Sequence, residues 1–365
     1  MSRVLIAGGG TAGHVVPALA LADVLSSRSL EVAFCGTGRG MERELVPRAG
    51  YPLYAVRIRG FERRLGLSTL RTLGSIPVAG VDAWRLLRTF RPDCVIGVGA
   101  YASGPVVAEA AAGRVPTVAV EMDSYMGWTN RILSRMVDKV CLSFPDPRRT
   151  GEKYIYTGRP LRPALLSATR DEGLVRFGLD PARDVLLVFG GSLGSHTLNE
   201  ATVDAFARTA TPFQIVHITG EREHARVAEA LSGPDANAAY QIHAFLDDFP
   251  LALAAADAVV GRAGGSVSEV LARGVPSLLV PYPLATGDHQ TVNARTVAEA
   301  GAALMITDAD LTAKDLAEAV ATLLDPHTNR RMSEAALRLA RPDAAVRIAD
   351  VVVELIARRT GEHYD

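Results

Sequence analysis

Short apolar runs rich in β-branched residues alternate with longer amphipathic segments along most of this 365-residue chain. Such runs, separated by segments of helical length, are typical of a parallel sheet in which each strand is followed by a crossover helix. The first half contains VLIA at 4–7, EVAFC at 31–35, DCVIGV at 93–98, PTVAV at 116–120 and DKVCLSF at 138–144. The pattern therefore predicts βαβ units in this half.

The same pattern begins again after a proline-rich segment, GRPLRP at 158–163. The later runs are DVLLVF at 184–189, FQIVHI at 213–218, YQIHAF at 240–245, DAVVG at 257–261 and PSLLVPY at 276–282. Because the chain is also longer than one hydrophobic core usually supports, we predict two Rossmann-like α/β domains. Their predicted ranges are 1–160 and 161–340, with a linker near 157–165. Residues 341–365 predict a terminal helix that packs back on the N-terminal domain.

Composition excludes several classes of protein. The residues are 48% hydrophobic and 22% charged, as in ordinary folded domains, and the net charge of −1 provides no global attraction for nucleic acid. The apolar run at 4–7 is too short for a signal peptide, and no charge-free stretch has the roughly 18 residues of a spanning helix. We therefore expect reduced cysteines in a cytoplasmic protein, with any membrane contact peripheral.

Each half opens with a strand that runs into a glycine turn, GGGTAGH at 8–14 and GGSLGSH at 190–196. A turn of this kind exposes backbone N–H groups at a helix N-terminus, where phosphate binds, although a simple tight turn has the same composition. His14 stands where the first turn becomes a helix, which favours the neutral imidazole. It is a candidate general base, or a histidine that only caps or packs.

Three further turns follow strands and add polar groups at the predicted sheet edges. GVGAYASGP at 97–105 contains Tyr101 and Ser103, and RAGGSVSEV at 262–270 contains Glu269. The Glu269 carboxylate could accept hydrogen bonds from a ribose or could compensate the helix dipole. PYPLATGDHQTVNA at 281–294 gathers amide and imidazole groups that suit a sugar: His289, Gln290 and Asn293.

Taken together and in order, these strings resemble the MurG family of N-acetylglucosaminyltransferases. The similarity spans nearly the whole chain and is carried by GGGTAGHVVPALALA, GVGAYASGPVV, TGRPLRP, FGGSLGSHTLNEA, HAFLDDFPLALAAADAVVGRAG, PYPLATGDHQTVNA and ARPDAAVRIADVV. It implies a GT-B fold, with two Rossmann-like domains whose parallel sheets face an interdomain cleft. It implies no cofactor and no catalytic metal.

The activity implied by the resemblance is inverting transfer of N-acetylglucosamine from UDP-N-acetylglucosamine (UDP-GlcNAc) to lipid I. The acceptor is the muramoyl 4-hydroxyl of undecaprenyl-pyrophosphoryl-MurNAc-pentapeptide, and the product is lipid II of peptidoglycan synthesis. The implied donor-binding residues are Arg162 and Ser192 at the diphosphate, Leu246 at uracil, Glu269 at ribose, His289 and Gln290 at N-acetylglucosamine, and also Thr11 and Gly13.

The resemblance also implies an acceptor side and a set of catalytic residues. The acceptor-binding residues implied are Gly10, Tyr101, Ser103 and Asn130, and Asn199 would support the second glycine turn. His14 is the first candidate base. Where the family commonly reads HEQN, this chain has Val120, Glu121, Met122 and Asp123, so Asp123 beside Glu121 is an alternative base with raised proton affinity.

Residues 57–91 carry eight arginines against Glu62 and Asp82, interleaved with apolar and aromatic side chains. A basic amphipathic segment of this kind suits an anionic membrane surface, although a solvated helix with an ordinary core face gives a similar pattern. The predicted membrane residues are Arg63, Arg64, Leu70, Arg71 and Trp84. They predict a peripheral membrane protein, which the resemblance places at the cytoplasmic face of the bacterial plasma membrane. The resemblance also implies cell-wall synthesis proteins as partners.

Two other functions fit the sequence. Another GT-B enzyme, such as a glycolipid or natural-product glycosyltransferase or a UDP-GlcNAc 2-epimerase, would share the fold. An inactive nucleotide-sugar-binding scaffold of a cell-wall complex would account for the changes at 120–123.

Overall fold

The structure is a computed structural model that describes residues 1–58, 67–191 and 194–361. The chain forms two compact units, one of Met1–Arg162 together with Arg341–Asp365 and the other of Pro163–Ala340. The predicted boundaries at 160 and 340 fall at or within two residues of these limits. Each unit is built on a parallel sheet, so the predicted pair of Rossmann-like α/β domains is confirmed.

The first unit contains a seven-stranded sheet in the order β3-β2-β1-β4-β5-β6-β7. Its strands are β1 (Arg3–Ala7), β2 (Glu31–Gly36), β3 (Leu53–Ala55), β4 (Cys94–Gly97), β5 (Thr117–Glu121), β6 (Lys139–Leu142) and β7 (Tyr154–Tyr156). Its helices are α1 (Ala12–Ser27), α2 (Glu42–Arg48), α3 (Leu67–Phe90), α4 (Ala100–Ala112), α5 (Trp128–Leu133) and α15 (Ala344–Thr360).

Alternate residues of β1 divide the core of this unit between the two faces of the sheet. Val4 and Ile6 pack with helices α1, α2 and α15 on one face. Leu5 and Ala7 pack with α3, α4 and α5 on the other. Successive side chains of a strand point to opposite faces of the sheet, which produces this division. The terminal helix α15 belongs to the first unit because it packs on one of these faces. The three cysteines, Cys35, Cys94 and Cys141, are free and buried, as predicted.

The second unit contains a six-stranded sheet in the order β10-β9-β8-β11-β12-β13. Its strands are β8 (Val185–Phe189), β9 (Gln214–Ile218), β10 (Tyr240–His243), β11 (Ala258–Gly261), β12 (Ser277–Leu279) and β13 (Ala303–Met305). Its helices are α6 (Pro163–Ser167), α7 (Arg170–Phe177), α8 (His196–Phe206), α9 (His224–Ala230), α10 (Phe249–Ala255), α11 (Val267–Ala272), α12 (His289–Glu299), α13 (Ala313–Leu324) and α14 (Pro326–Leu339). Throughout the part of the chain that the structure describes, no helix is both long and apolar enough to cross a bilayer.

Candidate active site

Both sheets have a topological switch point, where the strand order reverses. In the first unit it lies between β1 and β4, and in the second between β8 and β11. At such a point the loops that leave the two strands run in opposite directions, and ligands bind in the crevice outside the carboxyl ends. The glycine turns found in the sequence follow these four strands. The topology therefore brings the motifs together in pairs.

In the first crevice the His14 imidazole packs against Gly99 in the turn after β4. A Cβ atom on Gly99 would lie 3.2 Å from Cδ2 and 3.3 Å from Nε2 of His14, and 3.9 Å from Nδ2 of Asn130. Gly99 adopts φ 86° and ψ −165°, a conformation that residues with a Cβ rarely adopt. The Thr11 hydroxyl lies 3.3 Å from Nδ1 of His14. The backbone conformation and the close approach of the ring therefore both favour glycine at this position.

Glu121 ends β5 and is buried, and it is linked to this crevice through Asn130. One of its carboxylate oxygens accepts hydrogen bonds from the Gly127 amide and from Asn130 Nδ2, both at 3.0 Å, and the other accepts from the Asp123 amide at 3.2 Å. Burial, reinforced by the charge of Asp123, raises the pKa of Glu121 to about 7 against these hydrogen bonds. The carboxyl group can therefore exchange a proton near neutral pH.

Arg159 connects the two halves of this crevice. Its guanidinium donates one hydrogen bond to the Met122 carbonyl at 2.9 Å and another to the Gly13 carbonyl. Arg159 is buried, so it fixes the segment that carries Glu121 relative to the turn that carries His14.

The first glycine turn differs from the predicted phosphate site at one amide. The Gly10 N–H donates to the carboxylate of Glu42 at 2.8 Å, and the same carboxylate accepts from the amide and hydroxyl of Thr37 at 3.1 and 2.8 Å. Burial alone would raise the pKa of Glu42, but the hydrogen bonds from Gly10 and Thr37 lower it overall. The Gly10 N–H therefore donates to the protein's own Glu42 carboxylate and not to a phosphate of the acceptor. This contact supports the turn, in place of the direct acceptor contact that was predicted for Gly10.

The remaining acceptor residues divide by exposure. Tyr101 is exposed near the start of α4. Ser103 is fully buried, and Asn130 is buried with its amide donating to Glu121 and to the Val120 carbonyl. The burial of Ser103 and Asn130 argues for supporting roles in place of the direct acceptor contacts implied by the resemblance.

In the second crevice, Arg262 connects the turns after β8, β11 and β12. Its guanidinium donates to the Ser195 hydroxyl at 2.6 Å and to the carbonyls of Val280 and Pro281 at 3.2 and 3.1 Å. It also forms an ion pair with Asp308 at 2.5 Å. Because Arg262 is buried, these contacts fix the edge of the sheet from which the predicted donor residues extend.

The predicted sugar-binding amides lie on α12 against the turn that leads to Glu269. A Cβ atom on Gly264 would lie 3.6 Å from Nε2 of Gln290. The side-chain oxygen Oε1 of Gln290 accepts a hydrogen bond from the backbone N–H of Tyr282 at 2.9 Å. Asn293 donates to the Ala263 carbonyl at 2.9 Å. Glu269 occupies the first turn of α11. The structure therefore brings Gln290, Asn293 and the Glu269 turn to one end of the sheet, and His289 begins the same helix as Gln290.

Asn199 lies in a buried polar network behind the second glycine turn. Its amide donates to the Thr219 carbonyl at 2.9 Å, and its carbonyl oxygen lies 2.9 Å from Nε2 of His217. The other ring nitrogen of His217 lies 2.8 Å from the Tyr240 hydroxyl. Burial lowers the pKa of His217 to about 3, so the ring is neutral. These contacts fit the supporting role predicted for Asn199.

Leu246 is half-buried in the loop after β10, and Arg162 is half-buried at the end of the first unit. Ser192, Arg63 and Arg64 lie outside the described residues, as do the side chains of Leu70 and Arg71 in α3. Among the residues described, no group of three His, Cys, Asp or Glu side chains is arranged to hold a metal ion.

Four residues that shape the crevices were missed by the sequence reasoning. Three of them lie inside motifs that the sequence analysis names: Gly99 in GVGAYASGP, Arg159 in GRPLRP and Arg262 in RAGGSVSEV. Their place in these motifs was a signal that they help to form the crevices. Glu42 gives no such signal, because Gly10, which it contacts, is 32 residues away in the chain.

Comparison with known proteins agrees with this arrangement. Residues 4–142 match the glycosyltransferase family 28 N-terminal domain, and residues 185–348 match the glycosyltransferase family 28 C-terminal domain. The chain is 40% identical to a protein of Anaeromyxobacter dehalogenans, over 99% of this chain and 95% of that protein. The relative is named UDP-N-acetylglucosamine--N-acetylmuramyl-(pentapeptide) pyrophosphoryl-undecaprenol N-acetylglucosamine transferase. The chain belongs to this glycosyltransferase family.

A second relative and two solved structures extend the comparison. A Lactiplantibacillus plantarum protein of the same name is 38% identical over 97% of this chain and 99% of its own length. The crystal structure of Acinetobacter baumannii MurG has a TM-score of 0.81 at 29% identity, covering 97% of this chain and all of that chain. A UDP-GlcNAc 2-epimerase from Neisseria meningitidis, at 15% identity and a TM-score of 0.70, covers 97% and 100% of the two chains and shares the fold. The predicted family membership and glycosyltransferase class are confirmed.

Proposed function

We propose that this glycosyltransferase transfers N-acetylglucosamine from UDP-GlcNAc to the muramoyl 4-hydroxyl of lipid I and so forms lipid II. The observation that carries the proposal is the similarity to relatives whose names specify this donor and this lipid-linked acceptor. The similarity reaches 40% identity and covers 95% or more of each of the two relatives described above. A match of that length includes both crevices.

We assign the acceptor to the first crevice, as the resemblance to the MurG family implies. As the muramoyl hydroxyl attacks the anomeric carbon, a C–O bond forms on one face of the sugar and the bond to UDP breaks on the other, which inverts the configuration. The hydroxyl proton passes to a base, for which His14 is the first candidate because Gly99 leaves room beside Nε2. Asp123 is the alternative, since its charge lies close enough to Glu121 to raise the pKa of that carboxyl.

The second crevice is assigned to the donor. Glu269 would hold the ribose, Gln290 and His289 would hold the N-acetylglucosamine, and Leu246 would present its backbone to uracil. The Gln290 side chain is fixed by the Tyr282 amide, which leaves its Nε2 beside Gly264 to donate to a sugar oxygen. Arg162 and Ser192 are proposed at the diphosphate, where positive charge and N–H groups stabilise the departing UDP.

The test is incubation of the purified protein with UDP-GlcNAc and a lipid I analogue of shortened lipid chain. We expect UDP and a β-linked disaccharide, identified by mass and by the proton coupling of the new anomeric centre. Comparison of Asp123→Asn with His14→Ala assigns the base, because the variant that lacks the base loses turnover. Conversion of UDP-GlcNAc without an acceptor would indicate an epimerase, and no reaction at all would contradict the proposal.

We also propose that α3 contacts the cytoplasmic membrane surface. On the described part of this helix, Val78, Val81 and Trp84 are exposed at a spacing of three, which places them on one stripe. The Arg88 guanidinium lies 4.7 Å from the centre of the Trp84 ring. Apolar side chains beside arginines suit an interface with anionic lipids. Changing Arg85 and Arg88 to Glu should abolish co-flotation with anionic vesicles, and unchanged flotation would contradict this surface.

A further inference from the structure

Helix α5 exposes a second apolar stripe, which we call the α5 ridge. It consists of Trp128, Ile132 and Met136, whose side chains are 74%, 50% and 48% exposed. Backbone hydrogen bonds from Ser134 to Asn130 and from Val137 to Leu133 continue the helical turn beyond the end of α5. Spacing of four residues therefore places the three side chains on one face. Large apolar groups so exposed are costly in water unless they have a partner.

The surroundings of the ridge are basic. Arg131 and Arg135 are exposed between its members. Beyond Met136 the ridge borders a cavity of about 700 Å³, whose charged lining is predominantly positive. These charged lining residues are Arg114, Lys139, Lys153, Arg358 and Arg359, together with Asp138 and Glu152. An apolar strip bordered by arginines and lysines complements a surface that is apolar within and anionic at its headgroups.

The ridge lies in the same helix layer as α3 and begins next to the first crevice. Leu133 on α5, Ala83 on α3 and Val106 on α4 are buried in one core cluster, so these helices form one layer on the same face of the sheet. The other end of the ridge begins next to Gly127, whose amide donates to the buried Glu121. The ridge therefore runs from the acceptor crevice to the basic cavity, in the same helix layer as the proposed α3 surface.

We propose that the α5 ridge is a second membrane-contacting element, inserted among anionic lipids when the protein binds the bilayer. This inference rests on the proposed function, because a polyprenyl acceptor remains in the bilayer during transfer. Contact through Trp128 would bring the lipid surface to the edge of the first unit where Glu121 and Asn130 lie. The indole is suited to the headgroup region, where tryptophan is enriched in membrane proteins.

The chain has two tryptophans, Trp84 on α3 and Trp128 on α5, so each surface can be followed separately. In Trp84→Phe the emission comes from Trp128 alone. With vesicles of equal parts phosphatidylglycerol and phosphatidylcholine, we expect this emission to move to shorter wavelength and to be quenched by brominated lipid chains. Emission unchanged by vesicles, in protein that co-floats with them, would overturn the inference. A shift that depends on protein concentration without vesicles would assign the ridge to a second copy of this chain and also overturn it.

Trp128→Phe reports Trp84 in the same way, so failure of the α3 surface is distinguished from failure of the ridge. A second variant, Ile132→Ser with Met136→Ser, should weaken anionic-vesicle binding about tenfold or more, since it removes two exposed apolar groups. Its turnover of the short-chain acceptor in solution should equal that of the wild type. The matched control is Val175→Ser, which removes an 83% exposed valine from α7 in the second unit and should not change vesicle binding. Equal binding by the ridge variant and this control would contradict the proposal.

Discussion

Glu121 carries a carboxyl group that the fold buries and yet surrounds with donors. Burial raises its pKa to about 7, although Asn130 and two backbone amides donate to it. Such a combination is common where a protein needs a group that gains or loses a proton at neutral pH. In the crevice proposed for the acceptor, the protonation of Glu121 is part of the environment of the two proposed bases, His14 and Asp123.

The raised pKa of Glu121 predicts how stability varies with pH. Between its ordinary pKa of 4.5 and the folded value of about 7, the folded state binds a proton that the unfolded state has released. Unfolding free energy contributed by this group therefore falls as pH rises through that window, by roughly 3 kcal/mol. Urea unfolding at pH 5 and pH 8 should show this fall in the wild type and its absence in Glu121→Gln. The exposed control Glu221→Gln should behave as the wild type does; a parallel pH dependence in Glu121→Gln would contradict the assignment.

Gly99 gives a second prediction at this scale. In Gly99→Ala the new Cβ strains a backbone conformation that favours glycine, at about 1 to 3 kcal/mol, and meets the His14 ring. Displacement of the ring should lower the rate of disaccharide formation about a hundredfold. The control is Gly104→Ala in α4, whose Cβ would make only an ordinary contact with Thr129 at 3.6 Å, and it should retain activity. Full activity in Gly99→Ala would mean that the ring position does not matter.

At the residue scale, the sequence identified many residues of the two crevices but not which of them are buried or already hydrogen-bonded. His14, Glu121 and Asn199 were predicted from motifs, and the structure places the first two at one crevice and Asn199 behind the other. The burial of Ser103 and the occupation of the Gly10 amide could not be predicted, because both depend on residues distant in sequence. A motif specifies which groups leave a strand end, but packing decides which of them reach solvent.

At the scale of elements, the turns after β1 and β2 are held together by a single carboxylate. Glu42 begins α2 and accepts hydrogen bonds from Gly10, Thr37 and Gly40. A Cβ at Gly9, Gly36 or Gly40 would lie within 3 Å of this side chain. The glycines of this region therefore make room for Glu42 as well as for a ligand, which the pattern of glycines alone did not reveal.

Removal of this carboxylate should be costly. Glu42→Ala leaves the partly buried amides of Gly10, Thr37 and Gly40 without this acceptor, and we expect a loss of roughly 1 to 3 kcal/mol in unfolding free energy, with reduced transferase activity. Glu42→Gln keeps one acceptor oxygen and should lie between Glu42→Ala and the wild type. Glu44→Ala, an exposed position on the same helix, is the control and should change stability by less than about 0.5 kcal/mol. Chemical denaturation of the four proteins measures the difference, and equal stability of Glu42→Ala and Glu44→Ala would refute the role.

The inner strands followed from the apolar pattern because strands such as β4 and β8 are buried on both faces, which produces a continuous run that is easy to recognise. The edge strands β3 and β7 are partly exposed and were not predicted. The α5 ridge was not predicted. Its members are four residues apart, but α5 is only six residues long, so the helical pattern is weak. Their exposure depends on where α4 and the sheet lie. Periodicity alone does not distinguish an exposed apolar stripe from one that faces the core.

At the scale of the whole molecule, the chain leaves the first unit and later returns to it. Ile348, Val352 and Ile356 of α15 are buried in the core cluster that also contains Val4 and Ile6. The Cβ position of Gly158 meets Arg341, so the points where the chain leaves and re-enters this unit are in contact. The first unit is thus completed only after the second has been synthesised.

Truncation tests this dependence. Ending the chain at Ala340 removes α15 and exposes the apolar face beneath it, a loss of roughly 10 kcal/mol that is comparable with the stability of a whole domain. We expect the truncated protein to be insoluble or to lose the cooperative unfolding of its first unit. Ending the chain at Gly361 keeps the helix and should have little effect. Normal cooperative unfolding after truncation at Ala340, followed by calorimetry, would contradict this arrangement.

We propose that the crevice between β1 and β4 activates the muramoyl hydroxyl for transfer of N-acetylglucosamine. The most direct measurement is the single-turnover rate of disaccharide formation from UDP-GlcNAc and a short-chain lipid I analogue, for the wild type and His14→Ala. We predict a β-linked disaccharide from the wild type and a rate lower by about 10² to 10⁴ in His14→Ala, as for loss of a general base. The absence of disaccharide from the wild type, or an equal rate in the variant, would contradict the account.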